Sequence, residues 1–446
     1  MKTALKTTSK YLLIFCGMLL LLISLLCLVA MIPQSSIQKN SEKSACYLYE
    51  SEDLFDTLVD GQKLTTIDNY ADTILLGIVY GLDEADPLKS VMSASYYKEG
   101  WQNANEAYQI AVTEKKTPNT SYSRYWHGGI VFLKPLLMFF DIRGIRLINA
   151  VMMLAMLAFL GALLVKRKLG GLLAALLAGL LICAAFLVPL CLEYISTFLL
   201  MLISCSAMLL TEAKHEEKLL PLFFITGMLT CFFDFLTTET LTLTMPLIMV
   251  LCVKNKNKNK DKNKARKGMK SELWFCVKAA ALWGGAYSLM WISKWSLSSY
   301  FLQYNTFTDA IKNAQVRVTG DLEISLPRQC LEAVFRNIAL LFPMNFAHTY
   351  VGVILILLSI GVLVFCYLFL YGRREKHIWF SYLLMLIGCI PYVRYLVLSN
   401  HSYLHYFFTY RAQLVTVTVF LYVVFINTDK DLIYKDIKRI KQWKGG

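Results

Sequence analysis

The stretch from Tyr11 to Met31 carries no charged side chain and is apolar along its whole length. Inside a hydrocarbon layer, backbone N–H and C=O groups can be satisfied only by one another, so a run of this length is confined to a membrane helix. The same constraint recurs along the chain. Runs of similar character at roughly 11–32, 144–165, 170–190, 192–211, 219–236, 238–253, 273–293, 350–371, 379–399 and 408–426 predict about ten transmembrane helices. A hydrophobic content of 57% over 446 residues and a mean hydropathy of +0.50 exceed those of an ordinary soluble domain. The fold class expected is all-α integral membrane. Lys2, Lys6 and Lys10 ahead of the first run imitate a secretory signal, but the run is too long and lacks a small-x-small cleavage site, so it is expected to stay as a helix.

A formal net charge of +14 would suit a nucleic-acid binder if it were gathered on one surface. Instead Lys and Arg cluster at alternate span ends: Lys2/Lys6/Lys10, Lys166-Arg167-Lys168, Lys214/Lys218, the Lys254 to Lys270 run, Arg373-Arg374/Lys376 and a tail from Lys430 to Lys444. That alternation follows the positive-inside rule, sets both termini in the cytoplasm and argues against nucleic acid as a partner. The low-complexity tract Lys254-Asn255-Lys256-Asn257-Lys258 reads as a solvated loop able to touch anionic membrane lipids. The twelve Cys show no metal-type spacing; Cys46 and Cys330 fall in outer loops and could pair if those loops meet.

The organisation that follows is an N-terminal helix (1–32), an outer loop (33–143), spans two to six (144–253), a basic cytoplasmic loop (254–272), span seven (273–293), a second outer loop (294–349), spans eight to ten (350–426) and a basic cytoplasmic tail (427–446). The first loop carries nine Tyr and a run of carboxylates. Within it, Ile67 to Val79 places apolar residues at helical spacing with Asp68 and Asp72 on the polar side. Gly128 to Phe140, interrupted by Lys134-Pro135, is too short to span and is expected to lie in the interface. In the second loop, Pro327 to Phe342 sets Arg328, Glu332 and Arg336 at four-residue spacing. Both loops read as helical caps on the outer leaflet.

Three groups of residues could carry chemistry. Asp68, shortly after the first span, could accept a proton from a hydroxyl nucleophile, or could simply favour a helix N-terminus. Glu193 opens the fourth span, where an acid either faces a cavity or rests among headgroups; Asp234 and Glu239, around Thr237-Thr238, suggest a further polar pocket. Arg394 and Arg411, on consecutive spans and flanked by Tyr and His, match phosphate bidentately, against the plainer fate of snorkelling to lipid headgroups. His401 and His405 stand four apart without a carboxylate partner, so no metal is indicated, and no cofactor motif occurs.

Arg124-Tyr125-Trp126-His127, an interfacial run around Lys134-Pro135-Leu136, and Arg146-Leu147-Ile148-Asn149-Ala150 opening a span that ends Lys166-Arg167-Lys168-Leu169-Gly170 occur in an informative order. That order resembles the GT-C superfamily, nearest its protein-mannosyltransferase and lipid-A aminoarabinose-transferase branch. The resemblance covers about 1–215 and, beyond that, topology alone. It implies a GT-C-like bundle with a large helical first outer loop, acting on polyprenyl-phosphate-linked sugars at the outer face with an acid from that loop. Asp68 falls where the acid is expected, before Tyr70, and Glu193 where a second acid sits. Asn69 departs from the family's frequent acidic pair, which bears on metal use and on the identity of the base.

The function expected from these residues and this resemblance is an inverting glycosyltransferase, moving a sugar from a polyprenyl-phosphate donor to an acceptor outside the cytoplasm. Asp68 would be the general base, and Arg411 with Arg394 would hold the leaving lipid phosphate. Glu193 and Asp72 would orient sugar or acceptor, while Arg124, Trp126 and His127 would line the loop side, Trp126 as a stacking face. A lipid-linked saccharide flippase or transporter would instead need cation–acid pairs at mid-membrane depth and an internal repeat, and no repeat is found. An O-antigen-type polymerase would carry its key Arg residues in one late outer loop, where Arg317, Arg328 and Arg336 lie.

Overall fold

The computed structural model describes residues 2–51, 53–100, 102–211, 215–258, 268–320, 324–373 and 377–443. Lys214, Arg374, Lys376, Lys444 and part of the Lys-rich tract (259–267) lie outside the described residues. The described chain is helical almost throughout, and its one sheet is a hairpin of two three-residue strands, Phe55–Thr57 and Thr66–Asp68.

Seven helices among the described residues are long and apolar enough to cross a bilayer: Thr8–Ala30, Ile142–Lys166, Leu192–Leu210, Lys270–Leu302, Tyr350–Tyr371, Ile378–Val397 and Tyr406–Ile426. The protein is thus a multi-pass, all-α membrane protein. The three other expected spans are also helical but differ in kind. Gly170–Ile182 has 13 residues, a rise of about 20 Å at 1.5 Å per residue, short of a hydrocarbon core of about 30 Å. It gives way to a 3-10 turn at Ala185–Leu190. Glu216–Phe233 and Leu241–Lys258 carry Glu216, Glu217 and Lys218 at one start and five residues of Lys-Asn alternation at the other end, which shorten their apolar length.

Leu192–Leu210 is mostly enclosed, packed by Ile142–Lys166, Glu216–Phe233 and Leu241–Lys258. Tyr350–Tyr371 lies at the periphery, with Phe365 70% and Phe369 80% exposed. Such side chains keep an apolar environment when they face lipid, so exposure there is compatible with the bilayer. Glu216–Phe233 and Gly268–Leu302 form the most intimate pair, because Gly227 lies directly against the Trp283 backbone and a Cβ there would collide with the Trp283 carbonyl.

The long first loop is a folded cap of short helices, Gln34–Glu50, Asn69–Tyr80, Pro87–Ser93, Ala104–Thr113 and Ile130–Leu137. The amphipathic pattern over Ile67 to Val79 sets Asp68 and Asp72 on a polar side; in the fold the helix is Asn69–Tyr80 and every residue from Asp72 to Tyr80 is buried, because neighbouring loop helices and the Leu192 end of the central helix cover it. Ile130–Leu137 is fixed by Lys134, whose buried Nζ donates to the Ala30 carbonyl at 3.1 Å, placing a cation at the C-terminus of the first helix. In the second loop Leu326–Ala339 forms with the expected spacing, and Arg336 pairs with Glu332 at 3.4 Å. Cys46 and Cys330 are both free thiols; they donate to Glu50 Oε1 at 3.2 Å and to the Leu396 carbonyl at 3.9 Å.

Gly227→Val should force the tightest helix pair apart. We expect a loss of about 1–3 kcal/mol, read as a lower Tm in detergent. Gly284→Ala, one residue past Trp283 but facing open space, should be neutral; equal effects of the two variants would refute the packing argument.

Candidate functional site

Three segments far apart in sequence meet at Asp72. Its Oδ2 accepts from Arg146 Nη2 at 2.9 Å, and its Oδ1 accepts from the backbone N–H of Leu192 at 2.7 Å. Arg146 also donates to Asn69 Oδ1 at 2.9 Å. Asp72 therefore neutralises a cation at the start of Ile142–Lys166 and satisfies one of the open N–H groups that begin Leu192–Leu210. Both partners are buried, Asp72 completely.

This clamp sets two acids on a common wall. Asp68 ends the second strand and caps Asn69–Tyr80, its Oδ1 accepting from the Ala71 N–H at 2.9 Å. Its Oδ2 accepts from the Tyr194 hydroxyl at 2.5 Å. Burial pushes the Asp68 carboxyl up to about 6, against hydrogen bonds from Tyr194 and Ala71 that hold it down. Glu193 follows Leu192 directly and faces the same space, with no hydrogen bond to its carboxylate from the described residues. Asp68 and Glu193 line a cavity of about 310 Å³ whose other polar walls include Arg124, Arg317, His127, His401 and His405. Tyr70, Tyr122, Phe235 and Phe408 supply aromatic faces.

His127 is held in the left-handed region (φ 54°), which residues with a Cβ adopt at a cost, and its Nε2 lies 3.0 Å from the Tyr122 carbonyl. Burial pushes His127 down to about 3. Burial, with Arg317 and Arg394 nearby, likewise takes His405 down to about 4, and His401 lies well below the usual range. The three imidazoles are therefore neutral near pH 7. Among the described residues no three His, Cys, Asp or Glu side chains converge as a metal site would require.

The remaining sequence candidates separate. Arg124 lines the cavity, stacks over Tyr122 with 4.5 Å to the ring centroid and pairs with Asp309 at 3.4 Å. Trp126 does not line it: the ring is 1% exposed in the core and Nε1 donates to the Met290 carbonyl at 2.9 Å. The expected stacking face is thus spent on packing, with the ring held by the Met290 carbonyl and against Phe232. Asp72 does not line it either; its oxygens are engaged by Arg146 and Leu192. Arg394 is closed into a buried ion pair with Glu239 at 2.9 Å and further donates to Ser402 Oγ and the Leu236 carbonyl. Asp234 accepts from Thr197 and Thr237, so the expected Asp234/Glu239 pocket is a sealed polar network.

Arg411 is 2% exposed and stands one side chain behind the wall, its guanidinium 5.9 Å from the Tyr194 ring that separates it from Asp68. Its donors reach only the Phe407 and Leu64 carbonyls at 3.3 and 3.5 Å, its Nε has no partner, and no described carboxylate lies within ion-pair distance. Arg317 is the cation that the single-site reading passed over. It faces the cavity from Thr306–Val318, a polar helix whose sequence carries no motif, and likewise has no described carboxylate within ion-pair distance. Its position could be suspected only from its place in the second loop.

Two further hollows adjoin the cavity. An apolar groove of about 440 Å³ runs between Ile130–Leu137, Ile142–Lys166 and Leu192–Leu210 and shares Leu75 with it. An aromatic chamber of about 290 Å³, with Tyr287, Trp291 and Trp295, shares Arg124 and Arg317 on another side.

Burial raises both carboxyls, but Asp72 alone neutralises a buried cation, so the two should respond differently when neutralised. Asp72→Asn leaves Arg146 buried without its counter-charge and should cost about 3–5 kcal/mol. For Asp68, folding favours the protonated form: the stabilisation is complete below about pH 4 and fades as pH rises through about 6. Asp68→Asn, neutral at every pH, should therefore be at least as stable as the parent at neutral pH. Thermal unfolding across pH in detergent checks both; an Asp68→Asn protein as unstable as Asp72→Asn would contradict the assignment. No protein-family model, curated protein or solved structure matches the chain, so the roles of these side chains follow from geometry alone.

Proposed function

We propose that the protein is a membrane glycosyltransferase of GT-C-like architecture. It moves a sugar from a polyprenyl-phosphate donor to a hydroxyl acceptor on the non-cytoplasmic side, with both termini in the cytoplasm. The observation that carries this reading is the junction of an acid-lined polar cavity with a long apolar groove at Leu75. A molecule with a hydrocarbon tail and a polar sugar-phosphate head fits such a junction, since each part meets an environment of its own polarity.

Asp68 accepts the acceptor's hydroxyl proton. The oxygen attacks the anomeric carbon as the bond from that carbon to the phosphate oxygen breaks, and the polyprenyl phosphate departs with the bonding electrons. One displacement inverts the anomeric centre. A carboxyl poised near 6 is mostly ionised at neutral pH and basic enough to assist, whereas the neutral, strongly depressed histidines are poorer bases. Charge growing on the leaving phosphate falls within reach of Arg317 and Arg124 on the cavity wall. Arg411, behind Tyr194, adds a positive potential that favours ionised Asp68. Glu193, facing the cavity without a hydrogen-bond partner among the described residues, orients sugar hydroxyls. Arg394 and Asp72 act at one remove, by holding walls in place, and Trp126 acts by packing.

One observation favours a second reading. Arg317 from the late loop shares the cavity with the acids, the arrangement expected of an O-antigen-type polymerase, which also consumes lipid-linked saccharides. The two readings differ in acceptor, not in the first displacement.

The test is transfer of radiolabelled sugar from a panel of polyprenyl-phosphate sugars by the full chain in proteoliposomes. Asp68→Asn should lower the rate at least about 10²-fold, and Arg317→Ala should lower it while the fold, followed by melting, is kept. Undiminished transfer by Asp68→Asn removes the base assignment. Translocation of a lipid-linked saccharide without any transfer makes the protein a transporter.

A further inference from the structure

The helices that begin at the cavity end together elsewhere. Ile142–Lys166 starts at the Asp72 clamp and ends at Lys166; its 25 residues rise about 37 Å. Leu241–Lys258 starts next to Glu239, and Tyr406–Ile426 starts around Arg411. Their far ends enclose a second polar pocket of about 340 Å³, lined by Lys168, Lys256, Arg373, His377 and Lys430 over a floor of Leu169, Cys252 and Tyr422. No described acid lines it. Asp429 and Asp431 flank Lys430 in sequence but do not line the pocket; Asp429 accepts from the Asp431 N–H at 3.0 Å, and Asp436 accepts from the Tyr371 hydroxyl at 3.2 Å.

A general excess of Lys and Arg at one membrane face explains basic ends but not their convergence from four separate segments. The pocket is also built rather than draped. The backbone N–H of Arg373 donates to the Asn427 carbonyl and its Nε to the Thr428 carbonyl, both at 2.9 Å, while the His377 N–H donates to Asn427 Oδ1 at 3.1 Å. Lys256 Nζ donates to the Arg167 and Lys168 carbonyls, fixing the turn in which Lys168 takes a left-handed conformation (φ 55°). Lys168, Arg373 and Lys430, brought together here, repel one another, a cost that an anion between them reverses. Lys430 also opens the helix Lys430–Trp443, where basic residues alternate with the exposed apolar side chains Leu432 and Ile437. A helix of that pattern lies along a lipid surface with its apolar side down, which sets the pocket at headgroup depth.

We propose that this pocket binds a phosphate-bearing anion, supplied as the headgroup of an anionic membrane phospholipid, at the end of the bundle opposite the acidic cavity. The site is independent of the glycosyltransferase reading and stands or falls separately from it.

The test is native mass spectrometry of the full chain in detergent with phosphatidylglycerol or phosphatidylcholine, with and without inorganic phosphate as competitor. The parent should retain phosphatidylglycerol in preference to phosphatidylcholine. Arg373→Gln/Lys430→Gln should weaken that retention about thirtyfold, given roughly one kcal/mol per cation near an anionic headgroup, while Arg373→Lys/Lys430→Arg keeps it. Lys430→Gln alone, at an exposed position, gives a partial loss without risk to folding. Displacement by inorganic phosphate supports the pocket and names a soluble phosphate as its ligand. Equal retention of the two lipids by the parent, or unchanged retention by the double Gln variant, overturns the proposal.

Discussion

The buried carboxylate of Asp72 holds the architecture of this protein together at one point. A fully buried ion pair costs desolvation on both sides and recovers it only when every remaining lone pair is used. Asp72 goes part of the way, giving one oxygen to Arg146 and the other to the Leu192 N–H, while Arg146 Nε keeps no described partner. The specificity of the arrangement matters more than its energy, because it ties a loop helix, the second span and the central helix into one register. Asp68 lies one turn before Asp72, and Glu193 lies one peptide after Leu192, so the clamp brings both acids to the cavity without itself being part of the wall.

Around that cavity the charges divide by whether the protein has already answered them. Arg394 belongs to Glu239, Arg146 to Asp72 and, more loosely, Arg124 to Asp309. Arg317 and Arg411 have no described carboxylate within ion-pair distance, although Arg317 shares the cavity with Asp68 and Glu193, and Glu193 has no described hydrogen-bond donor. A cation without a close counter-ion in a low-dielectric setting is expensive to maintain and effective on whatever enters. The adjoining groove is apolar over nearly its whole length, with Asn149 and Ser196 the polar side chains on its wall. A cavity that binds polar, ionic matter beside a groove that takes hydrocarbon is the physical basis for proposing a lipid-linked sugar as substrate.

The sequence carries some of this plainly and hides the rest for identifiable reasons. Membrane helices follow from the run at 11–31 and its successors, since hydrocarbon leaves the backbone no other option. Asp68 is legible as an acid ahead of a helical pattern, and the helix it caps is where the spacing puts it. The partner of Asp72 is not legible, because Arg146 stands 74 residues away and nothing local marks the pair. The same distance effect misleads at Arg394, whose counter-ion Glu239 lies 155 residues earlier. Two Arg residues on consecutive spans look alike in sequence, yet one is neutralised and the other is not. Trp126 reads as a sugar platform beside Arg124 and His127, but its indole N–H is taken by the Met290 carbonyl, 164 residues away, and the ring lies in the core. Arg317 is marked only as one of three late-loop arginines with Arg328 and Arg336, and only folding chooses the one that reaches the cavity.

The account rests on Asp68 being a buried carboxylate whose basicity is set by its surroundings, and the most direct measurement is the pH dependence of its ionisation in the working protein. Single-turnover sugar transfer should rise with pH through about 6, the position to which burial brings Asp68. Tyr194→Phe removes a hydrogen bond that favours the ionised form, and should therefore move that limb to higher pH while leaving its shape unchanged. A limb that stays in place in Tyr194→Phe, or one that lies at an ordinary carboxylate value near 4, would contradict the central claim.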